Sequence, residues 1–457
     1  MSEESTTTMT ADERVIPRRQ VASWAAWDWA TQPFNTVLIT FVFAALYLTS
    51  DHFIDTAKVG TKGPSHDAAV AHLTFGFGVA VTVAGLLVAI VAPVLGQMAD
   101  RTGRRKAWLG WTTLLLVACM LALFFVQAAP SYFALGVGLL AVGAVIAEVA
   151  GVNYNAMLVQ VSTPKTVGRI SGLGWGLGYI GGIVALVIVV VSDKFDWYGL
   201  DTSNGMAYRL IAVGCAVWTL AFAWPLFVWV PEAPAAPRGA GSGVLNAYVL
   251  LWRNISQLWR EARPTVWFLI ASAVYRDGLA GVFTFGAVIA AKAYDFKDAD
   301  VILFGIAANL MAGVSTIVAG RLDDVVGPRR VIIFALSGIV IAGLAVAFLH
   351  GFGTIIFWIF GLMLSAMVGP AQAASRSLLG RVSPVGRESE IFGLYATTGR
   401  AASFLSPAAW AIMIGITGVT LWGTLGIVGV VAAGLVLMLF VRTPADEGEA
   451  ARPLLAD

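Results

Sequence analysis

The chain has 457 residues, of which 58% are hydrophobic and 12% charged, and its net charge is +2. So few charges cannot cover the surface of a water-soluble globule of this size, so the bilayer must be its solvent. The small net charge says little about partners, because in a membrane protein the placement of Lys and Arg carries the information.

Residues 1 to 20 are polar, with acidic and hydroxyl side chains and then Arg14, Arg18 and Arg19. This is not a cleavable signal peptide, and it reads as a cytoplasmic tail. Apolar runs follow at 22–49, 68–98, 106–128, 131–160, 168–192, 206–230, 264–293, 299–320, 330–349, 353–380, 389–416 and 419–441. A helix of about 20 residues crosses the hydrocarbon layer. The runs lack the alternation of barrel strands, and in lipid each helix satisfies its own backbone, so they are read as helices. Cys119 and Cys215 both lie inside apolar runs and offer no disulfide framework.

With the N-terminus in the cytoplasm, the cytoplasmic connections hold Arg101, Arg104, Arg105, Lys106, Lys165, Arg169, Arg321, Arg329, Arg330, Arg381 and Arg387, among others. The opposite connections hold mainly Lys58, Lys62, Lys194, Lys292 and Lys297. That asymmetry places both termini in the cytoplasm. The expected organisation is a tail at 1–20, a six-helix half at 21–230, a linker at 231–263, a second half at 264–442 and a tail at 443–457. In the linker, Pro231 to Pro237 and Gly239 to Gly243 break helices. Val244, Leu245, Tyr248, Leu251, Trp252, Ile255, Leu258 and Trp259 then recur at helical spacing opposite polar residues, predicting a helix in the cytoplasmic interface.

The halves repeat. Gly96, Asp100, Gly103, Arg105 and Lys106 return with the same offsets as Gly320, Asp324, Gly327, Arg329 and Arg330. Ser162 with Gly172 is matched by Ser383 with Gly393. Such repeats mark carriers whose halves rock around a shared site. The run Gly96-Gln-Met-Ala-Asp100-Arg-Thr-Gly103-Arg-Arg-Lys106 resembles the loop signature of the major facilitator superfamily. The resemblance implies an all-α polytopic membrane protein with the major facilitator fold, twelve transmembrane helices in two pseudo-symmetric six-helix halves. It also implies a conformational gate of Gly96, Asp100, Arg101, Gly103, Arg104, Arg105 and Asp324, with Asp100 and Arg101 foremost. Arg104, Arg105 and Lys106 have a plainer account as topology anchors.

Further segments resemble the vacuole effluxer family, known as amino-acid efflux permeases of fungal vacuoles with bacterial relatives. They are Trp24 to Phe34, Asn153-Tyr-Asn-Ala-Met157, Gly168 to Gly182, Tyr275-Arg-Asp-Gly278, Gly369 to Leu378, Gly386-Arg-Glu-Ser-Glu390, Phe392 to Tyr395 and Gly399 to Phe404. The family more often has Asn where Arg276 stands and Lys where Arg400 stands. Span five has Gly178-Tyr-Ile-Gly-Gly182 rather than the Gly-Pro pair of drug and proton antiporters, which argues against multidrug export.

Ionisable groups within spans mark a polar pathway, because each is costly unless paired or hydrated. At ~1.5 Å per residue, Glu148, Arg276, Asp277 and Arg400 lie near the midplane, and Asp28 nearer the cytoplasm. Arg376 and Arg209 lie near helix ends, where snorkelling accounts for them. Two acids and two guanidinium groups at one depth suit a zwitterion. Arg400 and Arg276 are assigned to a carboxylate, and Asp277 and Glu148 to an amine or a transported proton. Asn153, Asn155 and Gln372 are assigned to hydrogen bonds, with Asp28 and Arg376 completing the candidate set. Arg276 and Asp277 also have a structural reading as members of fixed ion pairs. Glu148, a lone acid in its span, needs a partner on another helix or a proton. Asp28 and Asp277 are considered as a pair related by the pseudo-twofold. Trp24, Trp27 and Trp29 have a plain account as headgroup anchors, and Pro33 and Pro370 are expected to interrupt their spans.

The four histidines show no ligand spacing and no phosphate-cradling Gly-Lys-Ser/Thr loop occurs, so neither a cofactor nor a metal is expected. The expected function is a secondary amino-acid exporter of the plasma membrane rather than an enzyme. It acts as a monomer on a small solute within the lipid bilayer, with protons as the coupling ion and no nucleic-acid partner. The alternatives are a carrier of a sugar, nucleoside or drug, and a non-transporting sensor of the same fold.

Overall fold

The computed structural model describes residues 15–194, 204–232, 258–260, 263–294, 296, 298–383 and 387–441. The predicted interfacial helix and both tails lie largely outside the described residues. Among the described residues, twelve helices are long and apolar enough to cross a membrane. They are α1 Arg18–Leu48, α2 Pro64–Thr102, α3 Arg105–Phe125, α4 Pro130–Gln160, α5 Val167–Ser192, α6 Met206–Trp229, α7 Arg263–Gly286, α8 Leu303–Val326, α9 Pro328–Phe348, α10 Thr354–Val382, α11 Glu388–Thr417 and α12 Thr420–Phe440. The predicted spans agree within a few residues at most ends. Large apolar side chains such as Leu86, Ile90, Trp111, Phe334 and Ile341 are exposed, the inverse of a soluble protein.

Three helices depart from simple rods. After Pro33, which has no N–H to donate, α1 runs in π-helical register over Phe34–Phe41 and Phe43–Leu48. The predicted interruption of span one is therefore a change of register, with Val42 N–H bonding Val37 O at 2.8 Å. Span ten carries its π-helical turn at Phe357–Gly361, and Pro370 sits inside the regular helix that follows. Span eleven, expected as one run, breaks at Ser403 into Glu388–Ala402 and Leu405–Thr417. The carboxylate of Asp277 on α7 accepts from Ser406 N–H at 2.5 Å, so the acid caps the second segment.

Within the first half α1 packs on α5 and α6, and α4 on α2 and α3; within the second, α10 packs on α8 and α9, and α12 on α7 and α9. The halves meet through α5 with α8 and α2 with α11, flanked by α5 with α10 and α4 with α11. Each pair in this set is the image of another when the halves are exchanged, which is what a pseudo-twofold requires. Glycines permit the crossings. A Cβ on Gly172 would lie 2.6 Å from Thr316 O and 2.8 Å from Gly320 Cα, while its repeat partner Gly393 would meet Pro93 Cα at 2.6 Å. Gly96 lies directly against the Ser389 carbonyl. These neighbours are backbone and cannot rotate away. Gly172→Ala is expected to force α5 from α8 at about 1–3 kcal/mol, lowering the Tm of the purified protein followed by tryptophan fluorescence. Gly138→Ala, whose new Cβ has open space around it, is expected to leave Tm unchanged.

Candidate functional site

Three tiers of charged contacts cross the seam between the halves, starting from the end that bears the basic loops. In the outermost tier Asp100, on the last turn of α2, accepts from the N–H groups of Ser389 at 3.2 Å and Glu390 at 2.8 Å. Its carboxylate therefore caps the N-terminus of α11 from the opposite half. Arg105, at the start of α3, donates through Nε to Asp100 at 2.7 Å and through Nη2 to Glu388, and all three side chains are buried. Gly103 supplies the turn between them with φ of 62°. The repeat behaves alike: Asp324 accepts from Gly168 N–H at 2.7 Å and Arg169 N–H at 3.0 Å, capping α5 from the other half. Arg381 joins Asp323 at 3.1 Å and Asp324 at 3.5 Å.

These contacts revise the anchor reading of Arg105, whose guanidinium is the centre of the cluster. Arg104 is exposed and Arg101 half-buried, while Lys106 Nζ bonds Val230 O at 2.9 Å. Asp323, Arg381 and Glu388 were not assigned to the gate from sequence, although Arg381 counted among the basic loop residues and Glu388 lies in one of the family-like segments.

The middle tier lies deeper. Arg376 on α10 is 3% exposed, so it does not snorkel. It reaches into the first half and donates from Nη1 to Asp28 at 3.2 Å and Asn155 Oδ1 at 2.9 Å, from Nη2 to Ser171 O at 2.6 Å, and from Nε to Ser171 Oγ at 3.0 Å. The rings of Trp24, Tyr154 and Trp175 surround the guanidinium, with centroids 5.1, 5.7 and 5.6 Å from its carbon. Tyr154 donates its hydroxyl to Asp28 at 2.9 Å. The headgroup account of the tryptophans is overturned for two of them: Trp24 and Trp27 are buried and stack on Tyr154, and Trp24 Nε1 bonds Tyr154 O. Tyr154, Ser171 and Trp175 were missed as site residues, though all three lie in quoted family-like segments. A periodicity cannot show that three helices converge on one cation.

The innermost tier joins Glu148 on α4 to Arg400 on α11 at 3.0 Å. The partner that Glu148 required is thus on the other half. Both are partly exposed, at 31% and 42% of their side-chain surface, beyond the tightly packed crossings.

Other assigned residues lie apart. Arg276 donates to Tyr395 O at 2.9 Å and lies 3.7 Å over the Tyr395 ring, with no carboxylate paired to it among the described residues. Asp277 serves the break in α11 and does not join Arg276. Asp28 and Asp277 consequently do different work and do not form an equivalent pair. Asn153 is fully buried, its amide donating to Val149 O on its own helix, and Gln372 is half-buried. Arg209, at the far end, bonds Phe124 O and stacks on the Phe124 ring. Among the described residues no group of three or more His, Cys, Asp or Glu is placed to hold a metal.

Known proteins agree with this architecture. Residues 159–451, well over half of the chain, match the family model described as Vacuole effluxer Atg22 like. An uncharacterized MFS-type transporter of Bacillus subtilis, YxiO, is 24% identical over 425 residues, covering 93% of this chain and 95% of that protein. Autophagy-related protein 22-2 of Aspergillus clavatus is 26% identical over 268 residues, 52% of this chain and 42% of the fungal protein. The chain thus matches under half the length of that fungal relative. Among solved structures, the proton:xylose symporter XylE superposes with a TM-score of 0.72 at 13% identity, covering 96% of this chain and 98% of that one. The human organic anion transporter MFSD10 gives 0.70 at 13% identity, covering 92% and 99%. At such identities the structural likeness concerns the fold alone. The family and fold are those of membrane transporters rather than enzymes, and the chain belongs to the vacuole effluxer Atg22-like family of major facilitator-type transporters.

Proposed function

We propose that this protein is a secondary carrier that exports small zwitterions, foremost amino acids, by alternating access with protons as the coupling ion. The supporting observation is the half-exposed Glu148–Arg400 pair, which joins the two halves. An acid and a guanidinium that neutralise each other across a seam offer a zwitterion one partner for each of its charges: Arg400 takes the carboxylate and Glu148 the ammonium. Binding exchanges one ion pair for two and leaves no charge unpaired. Glu148 is assigned to hold either the substrate ammonium or the coupled proton, which links substrate to gradient.

The closed crossings at the basic end, with both caps formed, support a rocking cycle in which the caps break as that end opens. The Lys and Arg distribution supports both termini in the cytoplasm, and the bacterial relative supports a plasma-membrane setting. The chain has its full two-half seam within itself, consistent with action as a monomer.

The test is uptake of labelled amino acids into proteoliposomes with and without an outward proton gradient, interior acidic, which drives uptake by a carrier that exchanges protons for substrate. The unmodified protein is expected to take up a zwitterionic amino acid with gradient dependence, and Glu148→Gln is expected to lose that dependence. Folded, inserted protein that moves no amino acid under either condition overturns the assignment.

A further inference from the structure

The receptor around Arg376 is built by one half and filled by the other. Trp24 and Asp28 come from α1, Tyr154 and Asn155 from α4, and Ser171 and Trp175 from α5, all in the first half. The guanidinium alone belongs to α10 of the second half. It fits closely: a Cβ on Gly174 would lie 2.8 Å from Arg376 Nη2 and 3.0 Å from both Asp28 Oδ2 and Trp24 Cζ3. When the halves part at the basic end, α10 moves with its own half and withdraws the guanidinium. Asp28, itself 23% exposed, then faces three rings without its cation. A carboxylate in such surroundings is costly unless a cation or proton replaces the one that left. The ring faces favour an organic cation over a hydrated metal ion.

We propose that Arg376 is a tethered stand-in for the substrate's own cation, and that the box of Asp28, Asn155, Trp24, Tyr154 and Trp175 receives a guanidinium or primary ammonium group once Arg376 leaves. This rests on the zwitterion reading above and narrows it to substrates that carry an additional positive charge on a side chain. The spacing supports the narrowing. Asn155 follows Glu148 by seven residues on α4, so the two share a face. They are separated by about 10 Å along the axis. A basic amino acid whose α-ammonium and carboxylate engage Glu148 and Arg400 extends its side chain along that face toward the box. Arg376 and the substrate cation exclude one another, so the substrate's side-chain cation leaves the box as the basic end closes, while Glu148 and Arg400 keep hold of the α-groups.

The experiment uses purified full-length protein and its Arg376→Ala variant, with methylguanidinium as the probe and equal sodium chloride as control. Intrinsic tryptophan fluorescence, to which Trp24 and Trp175 contribute, and Tm are both recorded. Arg376→Ala is expected to show a saturable fluorescence change and a rise in Tm with methylguanidinium. The response should be weaker by about tenfold or more in Arg376→Ala with Asp28→Asn, as expected for loss of a charged partner, and absent in the unmodified protein, whose box is filled. Folded Arg376→Ala with no saturable response, or with one unchanged by Asp28→Asn, overturns the inference. Should Arg376→Ala fail to fold, competition decides: in the unmodified protein, arginine and lysine are expected to inhibit uptake of labelled lysine about tenfold more strongly than leucine. Equal inhibition overturns it. Binding in the box without any amino-acid transport sinks the transport assignment and leaves the receptor standing. Transport of neutral amino acids with no preference for basic ones does the reverse.

Discussion

Arg105→Ala is expected to release the closed basic end by more than any other single substitution. Arg105 neutralises Asp100 and Glu388 at once, and all three side chains are buried. Removing one partner from a buried ion pair costs about 3–5 kcal/mol, because the charge left behind has lost its water and its counter-ion. The same acids gain water when the end opens, so the penalty falls on the closed state alone and shifts the equilibrium by roughly 10²–10⁴-fold. The measurement is maleimide labelling of Ser389→Cys in a background with Cys119 and Cys215 replaced. Position 389 is buried against Gly96 in the closed crossing. Labelling is expected to be slow in the parent and faster by at least about tenfold with Arg105→Ala. Equal rates would show that the cluster does not hold the end shut.

Arg400→Ala is expected to act on transport with little effect on folding. Its partner Glu148 is 31% exposed, so if the cavity between the halves is water-filled the structural cost is that of a surface ion pair, at most about 1 kcal/mol. The substrate carboxylate, by contrast, loses a charge-assisted hydrogen bond worth roughly 1.5–3 kcal/mol. Amino-acid uptake in proteoliposomes is therefore expected to fall by about 10–100-fold in kcat/KM with Tm nearly unchanged. Arg400→Lys keeps the charge without the planar fork and is expected to fall between the two. A large drop in Tm with Arg400→Ala would recast the pair as structural, and full uptake would remove Arg400 from the binding site.

Most of the architecture was legible in the sequence. Hydropathy runs long enough to cross a bilayer locate helices without reference to tertiary packing, since each span must satisfy its own backbone in lipid. The repeat of Gly96 and Asp100 in Gly320 and Asp324 pointed to equivalent gates, and Ser162 with Gly172 against Ser383 with Gly393 marked the helices that cross them. The need of Glu148 for a partner on another helix followed from the cost of a lone acid in a span.

Partner choice was decided by tertiary structure. Whether Asp277 serves a substrate or caps a broken helix depends on where α11 breaks, and no local pattern encodes that. Arg376 near the end of its span has the same sequence signature whether it snorkels or inserts into an aromatic box on the other half. Trp24 reads equally as an anchor at the headgroups and as a wall of that box. In each case the residue type and its depth follow from the chain itself, through hydropathy and helix rise. Its role depends on which helices converge there, a long-range packing outcome set by close glycine crossings such as Gly172 on Gly320.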